Sequence, residues 1–328
     1  MGLFSLLRRI GSVDQELRFR RSKTSICSLQ NAHIISAMAY TRGARRLFLL
    51  VLSCLTTALF AQGPPEGRGG PESQALHEGA RLDLEGKRTE ARAIFQKAVD
   101  TARSPAAKAN ALRAMAMSWA FEGNCRKTVE YETQVMDYWK TREKDDPEHA
   151  FYQGGEMADE AARVCIENGD LDAAYQLYKK GRDLGLQEPD ISAGRKDVWE
   201  FRWEHAQARI AARRGQKAEA EKHLAVAEAI LDDMRTKGSN LYEQQRSFLP
   251  YLEGYVAFYS GDYKAALNHL EQANQRDPFI QCLVGMTYEK LGDKAKAREA
   301  YEQAAQTSAH NPSAAFARPF ASKKLGRW

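Results

Sequence analysis

The sequence predicts an all-α chain of stacked helical hairpins, about six of them plus a C-terminal cap. Three observations carry this. One ladder of residues recurs along the chain: Gly79, Gly86, Ala91, Phe95 and Ala98 are answered by Gly254, Gly261, Ala266, Leu270 and Ala273. Gly285, Gly292, Ala297, Tyr301 and Ala304 repeat it again. The composition is rich in Ala, holds only ten Pro and is thin in β-branched residues over long stretches, as helices favour. The second Gly of each ladder falls between two helical stretches, where a residue tolerant of positive φ lets the chain reverse.

In chain order, the first 61 residues stand apart. They hold nine basic residues against two acidic ones, a net +7 in a chain of +5, so the remainder carries −2. A body so close to neutral has no net field for a polyanion, which removes the main support for nucleic-acid binding. Arg42, Arg45 and Arg46 precede the apolar run Leu47 to Ala61, which is shorter than the ~20 residues a membrane-spanning helix needs. A basic flank, a short apolar run and a terminal small residue are the layout of a secretory signal. Residues 38–61 are therefore expected to be a signal peptide starting at Met38, and 1–37 a mis-called extension or a disordered basic segment. Retention of the signal, or lipidation at Cys54, stays open; membrane contact is expected only through that segment. Residues 62–72 (QGPPEGRGGPE) read as a Pro/Gly linker.

The repeat array is expected over 73–310. Two central copies keep the second half of the ladder: Gly169, Ala174, Tyr178, Gly181, and Gly215, Ala220, Leu224, Ala227. The small residue after each turn lets the second helix approach the first. The large residue four positions on shares its face. A hairpin of this kind cannot bury its apolar stripe alone, and stacking completes the core. The second unit is degenerate, with Thr128 and Glu132 where Ala and an aromatic are expected. Residues 311–328 read as a capping segment, broken or bent at Pro319.

Val284-Gly285-x2-Tyr288 with Ala297-x3-Tyr301, and Ala91-x3-Phe95, resemble the tetratricopeptide-repeat family pattern. The resemblance implies a right-handed superhelix whose first helices line a concave surface, and a protein-binding role. The turn glycines Gly86, Gly123, Gly169, Gly215, Gly261 and Gly292 are 37, 46, 46, 46 and 31 residues apart, however, against about 34 in the family. The central hairpins therefore need longer helices or connections, with polar breaks at 140–148, 187–194 and 236–240.

No catalytic, cofactor or metal layout is present: there is no H-E-x-x-H, G-x-S-x-G, Walker-type loop or G-x-G-x-x-G. Cys125, Cys165 and Cys282 are odd in number and widely spaced, so neither a zinc site nor a disulfide framework follows from them. The candidate partner groove combines Arg113, Arg163, Arg202, His205 and Arg209 with Tyr251, Tyr255 and Tyr259. Arg forks hold carboxylates and Tyr supplies rigid contact area. The simpler alternative makes the Arg stripe a solvated face paired with neighbouring Glu residues, and puts Phe248 and Phe258 in the core. The expected function is an exported protein- or peptide-binding module or scaffold, in a periplasm or cell envelope of bacterial type. The alternative is a structural subunit of an envelope assembly that packs through its convex or end surfaces.

Overall fold

The computed structural model describes residues 71–327, and the basic segment, the apolar run and most of the Pro/Gly stretch lie outside them. The described residues form one compact unit. Among the described residues the chain is helical without strands. Six hairpins follow one another: α1 (Pro71–Leu84) with α2 (Arg88–Asp100), α3 (Pro105–Phe121) with α4 (Cys125–Lys140), and α5 (Pro147–Glu167) with α6 (Leu171–Gly185). Next come α7 (Ala193–Arg213) with α8 (Lys217–Thr236), α10 (Leu249–Tyr259) with α11 (Tyr263–Leu270), and α12 (Pro278–Leu291) with α13 (Lys294–Ala305). A five-residue helix, α9 (Tyr242–Arg246), precedes the fifth hairpin, and α14 (Pro312–Lys324) ends the chain. This is the all-α solenoid that the ladder implies.

The reversals have a local cause. Each turn glycine takes a left-handed φ between 71° and 86°, which costs a residue without Cβ little. In four of the turns an Asp or Asn follows and caps the second helix. Asp170, Asp262 and Asp293 each accept the backbone N–H three residues on, at 3.0–3.1 Å, as Asn124 does from Lys127. First helices open instead on Pro at their first position, where the missing N–H has no partner to lose (Pro105, Pro147, Pro278). Close approach inside a hairpin needs the other glycine of the ladder. A Cβ on Gly285 would stand 2.6 Å from the Tyr301 ring.

Each core joins a hairpin to the first helix of the next. Ala161, Cys165 and Ile166 of α5 meet Ala174, Leu177 and Tyr178 of α6 and Ala206 and Ile210 of α7. Burying a large apolar side chain contributes roughly 1.5–3 kcal/mol, so an unstacked hairpin forfeits most of its stabilisation. Two of the 46-residue spacings come chiefly from helix length, since α5 and α7 run 21 residues against 14 for α12; the third holds the 20-residue α8 and the added helix α9.

Three expectations are corrected. Cys125 and Cys165 form a disulfide, with Cα atoms 4.8 Å apart. Cys125 opens α4 and Cys165 lies near the end of α5, which packs beside it, so the fold joins two residues that no spacing motif connects. Cys282 is a free, buried thiol. Phe248 is not core: it stands just before α10 with 45% of its surface exposed, whereas Phe258 is buried. Pro319 does not interrupt α14, which runs through it.

The last helix does more than cap its neighbour. It packs on α12 and α13 but also on α3 and α5, with Ala314 and Ala315 against Ala120, Phe121 and Val164. Just before it, His310 Nε2 lies 2.8 Å from buried Asp83 of α1, and its ring stacks on Phe121. Arg318 donates to the carbonyls of Leu84, Ala305 and Thr307, bridging the ends of α1 and α13.

Candidate functional site

First helices α5, α7, α10 and α12 supply most of the wall of a cavity of about 210 Å³, with the start of α14 closing one side. Arg163, Arg202, His205, Arg209 and Tyr251 all line it. A second hollow of about 310 Å³ adjoins it at Arg202 and is lined by Tyr152, Gln153, Arg195, Trp199, Leu241 and Gln244, among others. Arg202, bonded to Glu156 and Tyr152, stands between the two.

The Arg and Tyr stripes come together by direct contact. Arg209, only 5% exposed, donates to the hydroxyls of Tyr178 (2.6 Å) and Tyr251 (3.2 Å), and its guanidinium lies within 6 Å of the Tyr178, Tyr251 and Tyr255 rings. One turn on, Arg213 donates to Glu167 at 3.0 Å and stands over Tyr259. The hydroxyl of Tyr255, whose side chain is fully buried, donates to Glu167 at 3.2 Å. Arg202 is paired with Glu156 and donates to the Tyr152 hydroxyl. Arg113 lies apart from the cavity, exposed and paired with Glu160 (Nε to Oε2 2.9 Å). Arg163 is exposed and, among the described residues, makes no hydrogen bond or ion pair.

Burial sets the protonation of this site. The Asp159 carboxyl, 4% exposed, is pushed up to about 7 by desolvation, against the pull of Arg202 and Arg163. The same cause raises Glu167, with Arg213 and Arg209 opposing it. His205 falls well below its ordinary value through burial and the cations Arg209, Arg163 and Arg202, so it is neutral at physiological pH. Its Nε2 is shut off from solvent and has no partner.

Sequence reasoning missed Arg213, Glu167 and Asp277. Arg213 was within reach, since it continues the 202, 205, 209 stripe by one turn. Asp277 was not, because it caps α12, accepting from Phe279 N at 2.8 Å, and reaches the cavity only through the stacking of hairpins.

Residues 280–311 match the model of the tetratricopeptide repeat. No curated protein matches the chain. Among solved structures, the chain is similar to the nearly identical TPR-like repeats described for a putative kinesin light chain of Podosopora anserina. The identity is 18%, with 70% of this chain and 92% of that one covered, at a TM-score of 0.35. A single-substitution variant of that protein gives 17%, 78% and 96%, again at 0.35. The match over 280–311 falls on the hairpin α12–α13, whose glycine turn and close glycine-to-large-residue packing recur at Gly79–Phe95 and Gly254–Leu270.

Proposed function

We propose that the chain is an exported protein-interaction module that receives an extended segment of a partner along the inner face of its first helices. One observation carries this reading: two hollows that meet at Arg202 are lined by Arg, Tyr and Gln side chains from successive first helices, with the exposed Phe248 on the wall of one. Exposed aromatic and Arg groups beside a concavity are what interface anchors require. Export is supported by the basic-then-apolar order of residues 42–61 and by the Cys125–Cys165 disulfide, a bond that persists in oxidising compartments. A cell envelope of bacterial type is the compartment we assign.

The second reading, a structural subunit of an envelope assembly, draws on a different observation. Arg202 and Arg213 are already paired internally, and α14 covers one end of the inner face. Photo-crosslinking in cells separates the two. A crosslinking residue placed at Gln244, exposed in the second hollow, should capture a protein that one placed at Val226, exposed on the second helix α8, does not. Capture from Val226 alone would favour the assembly reading and overturn the first.

A further inference from the structure

The cavity between α5, α7, α10, α12 and the start of α14 holds acidic and basic groups that, among the described residues, lack an ion-pair contact. Most of its charged groups are accounted for. Arg202 is paired with Glu156, and Glu167 with Arg213 and the Tyr255 hydroxyl. Asp277 accepts from Phe279 N and from Ser313 Oγ at 3.3 Å. Three groups remain. Asp159 is almost wholly buried and, among the described residues, its carboxyl has no hydrogen-bond donor. Arg209 is equally buried, yet it donates only to two tyrosine hydroxyls and the His205 carbonyl, with no carboxylate in ion-pair contact. Arg163 is open and unpaired. Leaving a buried polar group unmatched is costly, and more so when it is charged. Such a cost at a cavity wall is recovered when a ligand brings the missing partner.

We infer that this cavity binds a small zwitterion of the free α-amino-acid class, its carboxylate held by Arg163 and Arg209 and its ammonium by Asp159. The volume of about 210 Å³ lies below the ~300–1,000 Å³ typical of drug-sized ligands. Asp159 and Arg163 are four residues apart on α5, hence neighbours on one helical face. Opposite charges on neighbouring positions suit a ligand that carries both of its own on a single carbon. Phe248 and Phe279, with Ile280, offer an apolar flank for the ligand's side chain. A peptide terminus brings only one of the two charges, so this inference stands apart from the partner-binding reading and does not depend on it.

Calorimetric titration of the full-length chain tests it with three probes: L-phenylalanine, N-acetyl-L-phenylalanine, which lacks the ammonium, and L-phenylalaninamide, which lacks the carboxylate. L-Leucine serves as a second side chain. The amino acids should bind saturably, and each blocked analogue should bind about tenfold more weakly or worse. Arg163→Ala, a surface change, should weaken L-phenylalanine about tenfold and leave the amide unaffected. Asp159→Asn, similar in shape, should weaken L-phenylalanine while sparing the acetylated probe. If Asp159→Asn fails to fold, the two analogues and Arg163→Ala still decide. Equal binding of the acetylated probe and the parent would reduce the site to an anion site and overturn the zwitterion, and no saturable binding by any probe would overturn the site itself.

Discussion

The hairpin α12–α13 and the central hairpins α5–α8 stack in the same way but are held differently. In α12–α13 the helices are short and the contact is steric: Tyr301 lies over Gly285, and Cys282, Ala297, Ala304 and Ala305 fill the rest. In the centre the first helices are half as long again, and their inner face buries Asp159, Glu167 and Arg209 together with tyrosines. A purely apolar seam needs only shape, and it repeats. A seam carrying buried charge needs partners from several helices, so it cannot repeat and its sequence leaves the family pattern. Of these two regions, the one that matches the family is the one that buries less charge on its inner face.

The largest expected effect lies in the centre. Arg213→Ala would strand Glu167 in the interior and should cost about 3–5 kcal/mol, read as a loss of Tm by calorimetry. An unchanged Tm would mean that Glu167 is protonated and needs no cation. Reducing Cys125–Cys165 should cost roughly 2–4 kcal/mol, as expected for a closed loop of this length. Equal denaturation midpoints with and without reductant would show the clasp to be idle. Gly285→Ala probes the steric seam: the added methyl meets the Tyr301 ring and should cost roughly 1–3 kcal/mol.

The smallest effect has the opposite sign. Glu132 is wholly buried, and neither carboxylate oxygen has a hydrogen-bond partner. Desolvation, aided by Glu160, raises its carboxyl well above the ordinary range, while Arg113 opposes this. Because the folded state holds that proton more tightly than the unfolded one, Glu132 favours folding at low pH. Its stabilisation is lost as pH rises from the ordinary carboxylate value through the raised one. Glu132→Leu restores the large apolar residue of the ladder. It should raise Tm at pH 8 by about 2–4 °C per kcal/mol gained, and by less at pH 5. A gain independent of pH would mean that packing, not charge, sets the penalty.

The hairpins were legible because their causes are local. A turn glycine, an Asx cap and a small-then-large pair four residues apart all act within one unit, and the ladder found every turn. The Arg202–His205–Arg209 stripe was legible for the same reason. What it faced was legible only in part: Tyr251 and Tyr255 were expected opposite it, whereas Tyr178, Glu167 and Asp277 arrive from other hairpins. The Cys125–Cys165 pair was hidden likewise, since only the packing of α4 on α5 brings the two together. Phe248 misled because an aromatic at helical spacing usually faces inward, yet α10 begins one residue after it.

Arg318 and His310 reach partners 234 and 227 residues earlier in the chain. In an open array of repeats the terminal units fray first, and folding can begin anywhere and spread to nearest neighbours. Among the described helices the first is tied to the last, so neither end of the array is free to fray alone. Closing so large a loop carries an entropic cost that grows only slowly with length, but it comes due before the contacts reward it. The chain should therefore assemble its hairpins quickly and join its two ends as a separate, slower event. Amide protons of α1 should exchange fast until that event and slowly after it.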